Sequence, residues 1–552
     1  MGGSNMNEKF VGTDAIMRRA MLKGCGFGDD DIKTKPHIGI VNTYNEGAPG
    51  HAHLKQLSEV IKQGVWAAGG VPFEFGAPST CGDMIVGEEE LKFELAGRDV
   101  VAQAVEYVST VHQFDGLILL ASCDNIIPGV ALGAIRMNIP SIILTGGSML
   151  VGEYQGEEIL PCDVGVMTMG KDAESERVKE IENVACMCPG ACSTMGTANS
   201  MQIMMEVLGL TLPGVSTIPA VYADKQRASR LAGKRIVDMV KEDLKPSNVL
   251  TRETFLNAVT TDIAMGGSTN VILHLIALAR EAGVELTVDD FDRIGRNVPC
   301  VCGVKPSGDY TIVDFHNAGG VPAMLKELQS LLYLDSKAIT GETLQEIINK
   351  ASNKNPDVIR SMDNPITSDG GLTILRGNLA PNSAIIRSSS VPESMKKFSG
   401  RARVFHRDQD GAKAIKEGKI QPGDVMVIRY EGPKGAPGMK EIMLSTDALV
   451  AHGLDDSVGL VTDGRFSGFN RGPIVGHITP EAFEGGPLAL VEDGDIISVD
   501  IKEATLTIDI SEEEMKRRGA NWQQPEPKVK QGMMRLYSKM CRSAEEGAGM
   551  TL

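Results

Sequence analysis

Cysteine residues concentrate in three loops that are otherwise rich in turn-forming residues. These loops are STCGDMIVG (79–87), SCDNIIPG (122–129) and ACMCPGACSTMGTANSM (185–201). A zinc ribbon would show two close CxxC pairs, which these spacings do not provide. One thiolate from each of three loops instead suits an iron–sulfur cluster with one iron left open, and such an iron can act as a Lewis acid. The alternative is that the cysteines pack in the core and that catalysis takes place elsewhere.

The central loop carries Cys123, Asp124 and Asn125 where an apolar strand ends. Residues 115–148 read as strand, helix and strand, which is a βαβ unit and predicts a parallel sheet covered on both faces. Sites in such sheets form beyond the carboxyl ends of the strands. Residues 37–45 also run from a strand into a polar loop. We therefore expect the two loops to converge.

The predicted secondary structure changes along the chain, which indicates two domains. Helical periodicity dominates to about residue 360, and strand-like runs joined by Gly/Pro turns follow. We predict an N-terminal α/β domain over residues 1–365 that carries the cluster, and a β-rich, barrel-like domain over 366–552 that completes the active site. In the first domain Cys192 precedes a helix expected to begin near Thr197, and the positive end of a helix favours thiolate.

Composition excludes several classes of function. The 552 residues carry a formal net charge of −17, which argues against nucleic-acid binding, and no apolar run reaches membrane-spanning length. The N-terminal MGGSNMNEKF lacks the regions of a signal peptide, so we expect a cytoplasmic protein whose ten cysteines stay reduced. Outside the three loops, Cys25, Cys162 and Cys541 are predicted to be buried as small hydrophobes.

Motifs along nearly the whole chain resemble the dihydroxy-acid dehydratase family, which includes sugar-acid dehydratases such as phosphogluconate and xylonate dehydratase. In order, the matching segments are VNTYNEGAPGHAHL, GGVPFEF, SCDNIIPG, RMNIPSI, GACSTMGTANSMQ, TDIAMGGSTNVILHL, GGVPAML, SDGGLTILRGNLAP, VIRYEGPKGAPGM, TDGRFSG and VEDGD.

The resemblance implies removal of water from a 2,3-dihydroxy acid to give a 2-keto acid, with an iron–sulfur cluster and Mg²⁺. The expected substrates are 2,3-dihydroxy-isovalerate and its methylvalerate analogue, in valine and isoleucine synthesis. A sugar-acid dehydratase with the same mechanism is the alternative, and a non-catalytic iron–sulfur or zinc protein is a more distant one. Members are commonly homodimers, so a homodimer is expected here.

The cluster ligands follow from the same resemblance. Cys123 and Cys192 match family ligands, and Cys81 is the candidate for the third, with Cys188 and Cys186 as alternatives. Members with a [2Fe–2S] cluster carry a cysteine in the PGH loop, where this chain has Gly50. Other members share PGH and are associated with a [4Fe–4S] cluster. The resemblance thus favours [4Fe–4S], with [2Fe–2S] as the alternative.

The Mg²⁺ site departs from the family in two places. Asp83, Asp124 and Glu431 resemble the family's metal carboxylates. The usual pattern is DGIAMGH, whereas this chain has CGDMIVGE, so Asp83 stands one residue out of register. The family usually has a lysine after the Cys-Asp pair, often carbamylated as a metal ligand, and Asn125 takes its place. An amide cannot carry a carbamate, but its oxygen can coordinate a cation.

The base that removes the α-proton is expected to be Ser467, which matches the family residue in TDGRFSG. A serine hydroxyl needs a nearby positive charge to act in this way. Arg465 lies two residues away and could hold the substrate carboxylate, although an exposed arginine in a turn is the common outcome. His477 is an alternative base, with a structural histidine as the simpler explanation.

Overall fold

The computed structural model describes residues 7–368, 370–467 and 471–550. The first sheet is built from β1 (His37–Asn42), β2 (Val71–Gly76), β3 (Gly116–Ala121) and β4 (Ser141–Thr145). Its strands are all parallel and run in the order β2-β1-β3-β4. A small antiparallel hairpin follows, made of β5 (Gly152–Tyr154) and β6 (Glu157–Ile159).

Helices surround this sheet and fill the chain up to residue 349. They are α1 (Ile16–Gly24), α2 (Asp29–Thr34), α3 (Leu54–Ala67), α4 (Phe93–His112), α5 (Ile126–Met137), α6 (Pro161–Met169), α7 (Glu176–Glu182), α8 (Thr197–Val207), α9 (Ala223–Glu242), α10 (Pro246–Val249), α11 (Arg252–Ala264), α12 (Asn270–Glu281), α13 (Val288–Gly295), α14 (Ile312–Asn317), α15 (Gly320–Glu327) and α16 (Leu344–Asn349).

The central strand β3 shows why the sheet needs helices on both faces. Its side chains alternate between two hydrophobic clusters. Ile118 and Leu120 pack in the cluster that includes residues of α3 and α9. Leu117 and Leu119 pack in the cluster that includes residues of α4 and α5. A parallel strand buried on both faces leaves only its ends for polar chemistry, so the loops at the carboxyl edge become the place for a site.

The second sheet has eight strands and forms a nearly closed, barrel-like structure. The strands are β7 (Thr373–Leu375), β8 (Ser383–Ile386), β9 (Lys397–Phe405), β10 (Asp424–Ile428), β11 (Gly459–Thr462), β12 (Ile474–Thr479), β13 (Ile496–Asp500) and β14 (Thr505–Ile508). Their order is β14-β13-β9-β10-β11-β12-β8-β7, with β9 to β12 parallel and the remaining neighbours antiparallel.

Backbone hydrogen bonds next to β7 bring the two edges of this sheet together. The Arg376 N–H donates to the Ala504 carbonyl at 3.0 Å, and the Leu506 N–H donates to the Arg376 carbonyl at 2.9 Å. Helices α17 (Asp408–Lys416) and α18 (Leu444–Ala451) connect the parallel strands, and α19 (Glu512–Asn521) and α20 (Gly532–Met540) follow the barrel. The predicted α/β region followed by a β-rich, barrel-like region is therefore confirmed, while the boundary at residues 365 and 366 stays a prediction.

Two contacts show how the barrel meets the first domain. The Asn270 side-chain amide, at the start of α12, donates to Glu441 Oε1 at 2.8 Å. The Gln409 amide donates to the Gly87 carbonyl at 2.7 Å, which ties α17 to a cysteine-bearing loop. The loop after β10 thus contacts α12, and α17 contacts the loop after β2. None of the helices in the described ranges has both the length and the apolar character of a membrane span.

Candidate active site

Cys123 lies two residues beyond β3, and His51 from the loop after β1 fixes its backbone. The Nε2 atom of His51 accepts the N–H of Cys123 at 3.2 Å, while its Nδ1 atom lies 2.9 Å from the Thr43 hydroxyl. That hydroxyl donates to the Leu120 carbonyl at 2.7 Å, so it accepts from Nδ1. Burial lowers the pKa of His51 to about 4, which keeps the ring neutral and able to accept. Sequence reasoning had not singled out His51.

The three predicted cluster thiols come together at this edge. Cys81 and Cys123 adjoin each other, and Cys192 is close enough to both for electrostatic interaction. The Cys192 Sγ atom also lies 3.5 Å from Asp83 Oδ2. A Cβ atom added to Gly50 would stand 2.8 Å from Cys123 Sγ, so the PGH loop packs directly against this thiol. The loops predicted to converge therefore do so.

Mutual proximity makes ionisation of these thiols unfavourable in the protein alone. Interaction with the adjoining Cys81 thiol, followed by burial, raises the pKa of Cys123 well above its ordinary value. Burial, followed by the charge of Asp83, raises the pKa of Cys192 in the same way. Helix α8 begins at Thr197, as predicted, and burial and the charge of Asp83 oppose the thiolate that its positive end would favour at Cys192.

The two alternative ligands in the third loop are placed differently from Cys81. The Cys188 Sγ atom accepts the backbone N–H of Leu150 at 3.2 Å, while Cys186 is exposed. The charge of Cys81 acts on Cys186, so that thiol lies at the periphery of the group. Among the candidates, Cys81 has the contact with Cys123 that a shared ligand site requires.

The structure confirms burial for one of the three cysteines that the sequence assigned to the core. Cys541 is buried as predicted, whereas Cys162 is half-buried and Cys25 is exposed. The prediction for Cys25 is wrong because it follows α1, a helix with no buried residue. Cys162 lies close enough to Cys192 for its charge to act on that thiol, so it belongs to the surroundings of the site.

Carboxylates from both domains gather beside the thiols. The charges of Asp124 and Asp83 both act on Glu441, and the charge of Asp124 also acts on Asp83. Burial raises the pKa of Glu441 to about 7 and also raises the pKa of Asp124. Solvent reaches Asp83, yet the surrounding protein desolvates it enough to raise its pKa. Arg465 Nη1 lies 3.2 Å from Glu441 Oε1 and opposes these shifts.

Arg465 is fully buried, contrary to the exposed position that is common for an arginine in a turn. Its Nε donates to the Met439 carbonyl at 2.9 Å, and its backbone N–H donates to the Lys440 carbonyl at 3.1 Å. These bonds hold the loop after β11 against the loop after β10. The guanidinium is thereby fixed next to Glu441 and within electrostatic range of Asp124.

A further carboxylate, Glu94 at the start of α4, reaches the same group. It is only 4% exposed, and its carboxyl group adjoins Thr80 and Asn125. Burial, followed by the charge of Asp124, raises its pKa to about 7. The Asn125 amide nitrogen donates to Asp124 Oδ1 at 2.8 Å. Sequence reasoning missed Glu94, because a glutamate in the first turn of an amphipathic helix reads as an ordinary surface residue.

Glu431 occupies different surroundings from the carboxylates above. Its Oε1 atom lies 3.3 Å from Lys528 Nζ, and Lys528 and Lys440 are the strongest charges acting on it. Its backbone N–H donates to Asp463 Oδ1 at 2.9 Å. Its role as a metal ligand stays a prediction, and Glu441, ten residues on in the same loop, is the barrel carboxylate that neighbours Asp124. The sequence feature that could have identified Glu441 is its position just beyond the Gly/Pro-rich segment that follows β10.

The two candidate bases lie on the barrel side. Ser467 is half-buried in the loop after β11, two residues beyond Arg465, and its role stays a prediction. His477 in β12 is buried, and neither ring nitrogen has a hydrogen-bond partner in the part of the chain that the structure describes. Burial lowers the pKa of His477 to about 3, so its ring would bind a proton too weakly to serve well as a base.

The donor set fits an iron–sulfur cluster beside a divalent cation. Within the described residues, no three His, Cys, Asp or Glu side chains already stand close enough to ligate one metal ion. The chemistry of the side chains nevertheless suits bound metal. Three thiols adjoin buried carboxyl groups whose pKa values are raised, and a nearby positive charge would favour the ionised forms of all these groups. The Asn125 Oδ1 atom is also buried without a hydrogen-bond partner in the described ranges.

The fold and this site define a two-domain enzyme class, and comparison with protein families gives it a name. A family described as dihydroxy-acid/6-phosphogluconate dehydratase N-terminal matches residues 35–347, and the corresponding C-terminal family matches residues 357–548. The chain therefore belongs to the dihydroxy-acid/6-phosphogluconate dehydratase family.

Curated relatives extend over almost the whole chain. A dihydroxy-acid dehydratase from Methanococcus aeolicus is 46% identical over 542 residues, covering 97% of this chain and 98% of the relative. One from Methanococcus maripaludis is 47% identical over 535 residues, covering 96% and 97% respectively. Another, from Caldanaerobacter subterraneus, is 45% identical over 546 residues and covers 97% of both chains.

Proposed function

We propose that this chain is a hydro-lyase that converts a 2,3-dihydroxy carboxylic acid to the 2-keto acid. The proposed substrates are 2,3-dihydroxy-isovalerate and its methylvalerate analogue, whose products are the keto acids of valine and isoleucine biosynthesis. The names of the relatives above support dehydration of a dihydroxy acid. The observation that carries the proposal is the meeting of Cys81, Cys123 and Cys192 with carboxylates from both domains.

We further propose that Cys81, Cys123 and Cys192 hold the cluster, with [4Fe–4S] favoured over [2Fe–2S]. The contact between Cys81 and Cys123 supports this choice of third ligand. Gly50 supports it as well, because that position faces Cys123 but provides no thiol. Asp83, Asp124 and Glu441 would hold Mg²⁺, and Glu441 takes precedence over Glu431 because it neighbours Asp124. The bound metals would supply Lewis acidity towards the departing hydroxyl and the developing enolate.

The chain's own residues bind the substrate and move the proton. The buried Arg465 guanidinium presents a fixed positive charge, which suits binding and orientation of the substrate carboxylate. Ser467 would take the α-proton at its Oγ atom, since positive charge nearby favours the ionised hydroxyl. The protein packed around the buried carboxylates limits the access of water, which strengthens every charge interaction in the site.

Location and assembly complete the proposal. The reduced state expected for the cysteines supports a cytoplasmic enzyme. The acidic net charge of −17 supports a small-molecule substrate over nucleic acid. We carry over the homodimer from the family resemblance, and sedimentation of the purified protein would test it.

The test is a keto-acid assay on protein purified without oxygen. The protein is incubated with Mg²⁺ and either 2,3-dihydroxy-isovalerate or a series of aldonates, and keto acid is measured together with bound iron and sulfide. We expect faster turnover of the branched acid. Preference for an aldonate would reassign the substrate class, and absence of turnover from iron-loaded protein with both substrates would overturn the enzyme.

A further inference from the structure

Glu94 places a buried carboxyl group where the two halves of the site meet. It comes from α4, outside all three cysteine loops, and its carboxyl group adjoins Thr80 and Asn125. Asp124 is the strongest charge acting on it, and Arg465 from the barrel also acts on it. Glu94 therefore lies among groups of both domains.

A role as an ordinary helix-end residue does not account for this position. Glutamate in the first turn of a helix is favoured by the helix dipole, but an exposed side chain already gains from that effect, so the dipole does not require burial. Glu94 is 4% exposed, and placing it beside Asp124 costs free energy that an outward-facing rotamer would avoid. Glu90, which is exposed just before α4, shows that the chain has acidic residues free of this cost.

Asn125 gives an independent indication that a ligand belongs here. The residue is 1% exposed, and its amide nitrogen donates to Asp124 Oδ1 at 2.8 Å. Its Oδ1 atom has no hydrogen-bond partner among the described residues. A buried, unsatisfied amide oxygen is costly, and it is also an oxygen donor suited to a hard divalent cation.

The Glu94 side chain, which comes from α4, occupies the space beside Gly82. A Cβ atom added to Gly82 would stand 3.4 Å from Glu94 Cγ and 3.7 Å from Glu94 Cδ. Aligning the glycine of the family pattern DGIAMGH with Gly87 puts the aspartate of that pattern at Gly82. The Glu94 side chain thus packs against a position at which this chain has no side chain of its own.

We propose that Glu94 is a cation ligand that supplies the carboxylate absent at Gly82, with the Asn125 amide oxygen beside it. This inference rests on the proposed Mg²⁺ site and extends it to a residue that lies in none of the short motifs on which the resemblance was recognised. Two departures, at Gly82 and at Asn125, would then be offset by one residue of α4.

Divalent-cation affinity tests the proposal without relying on turnover. Anaerobically purified protein is stripped of added divalent cations with a chelator and titrated with Mn²⁺, and free Mn²⁺ is followed by electron paramagnetic resonance. We expect Glu94→Gln to bind Mn²⁺ about 10- to 100-fold more weakly, with bound iron unchanged. Glu90→Gln, the matched control on the neighbouring turn, should bind as the wild type does.

A double variant that moves the carboxylate from position 94 to position 82 distinguishes loss of a ligand from misfolding of a single variant. Glu94→Ala should weaken Mn²⁺ binding, and adding Gly82→Asp to it should restore most of the affinity, because the removed side chain leaves room for the new one. Wild-type affinity in Glu94→Gln, or no restoration in the double variant, would overturn the proposal. If the wild type binds Mn²⁺ but dehydrates no substrate, the proposed reaction fails while the test of Glu94 still stands.

Discussion

The two domains contribute to the site in different ways. The parallel-sheet domain supplies Cys123 and Asp124 from the short loop where β3 leads directly into α5, and the other two thiols from longer segments after β2 and before α8. The barrel supplies Glu441 and Arg465 from longer loops after β10 and β11, which are tied to each other by backbone bonds. The thiols and Arg465 could be singled out from the sequence, whereas Glu441 required the structure.

The largest expected effect comes from the parallel-sheet side. Cys123→Ser should lose most of its bound iron and lower turnover at least about 100-fold, because a serine hydroxyl is a poor ligand for iron. Iron and acid-labile sulfide are measured on anaerobically purified protein. Cys25→Ser, which changes an exposed cysteine, should retain both. Unchanged iron in Cys123→Ser would remove the basis of the site.

On the barrel side, Ser467→Ala should reduce kcat by about 10²- to 10⁴-fold without changing bound iron, because only proton transfer is removed. Ser457→Ala is a suitable control, since Ser457 is also half-buried and lies just before β11. A loss of iron together with activity in Ser467→Ala would show that this loop supports the cluster and does not act as the base.

The two barrel glutamates can be compared directly. Glu441→Gln should raise the Mg²⁺ concentration needed for half-maximal activity by about 10- to 100-fold, since Glu441 neighbours Asp124. Glu431→Gln should change it by less than about threefold, because Lys528 and Lys440 are the main charges acting on Glu431. The reverse order would reinstate the assignment made from the sequence.

A smaller effect is expected where the loop after β1 meets the thiols. Gly50→Ala would bring a Cβ atom 2.8 Å from Cys123 Sγ, so the thiol must move, and bound iron should fall several-fold. The control is Gly47→Ala, whose Cβ atom would make an ordinary 3.5 Å contact with Asn45. Equal iron content in the two variants would show that the thiol adjusts freely.

The smallest effect is expected from Lys225, which supports the end of β4. Lys225 Nζ donates to the carbonyls of Thr145 and Val215 at 3.0 Å, and burial lowers its pKa to about 7 from an ordinary 10.5. Between these values the unfolded chain binds more protons, so this group makes the fold more stable as pH rises, by at most about 1.4 kcal/mol per pH unit. Thermal midpoints from pH 7 to 9 should therefore rise more in the wild type than in Lys225→Met. Parallel shifts in both proteins would contradict this.

Strand periodicity and turn chemistry are local signals, and they predicted the fold class and the convergence of two loops. The family resemblance then selected Cys81, Cys123 and Cys192. The sequence therefore predicted part of the site. It did not find Glu94 or Glu441. Their roles depend on which helix and which barrel loop pack against the sheet edge, and that is set by contacts between residues far apart in the chain. The hydrogen bond from Asn270 to Glu441 spans 171 positions, well beyond the reach of local pattern.

The same long separation has a consequence for biosynthesis. The thiol loops end at Cys192, whereas Glu441 and Arg465 are translated only after the first strands of the barrel. At roughly 5–20 residues per second, the ribosome delivers the thiols tens of seconds before the residues that enclose them. During that interval the barrel loops that cover the thiols have not been made, so oxidants and competing metal ions can reach the thiols. Delivery of iron is therefore best timed after release of the chain, when the barrel can close over it.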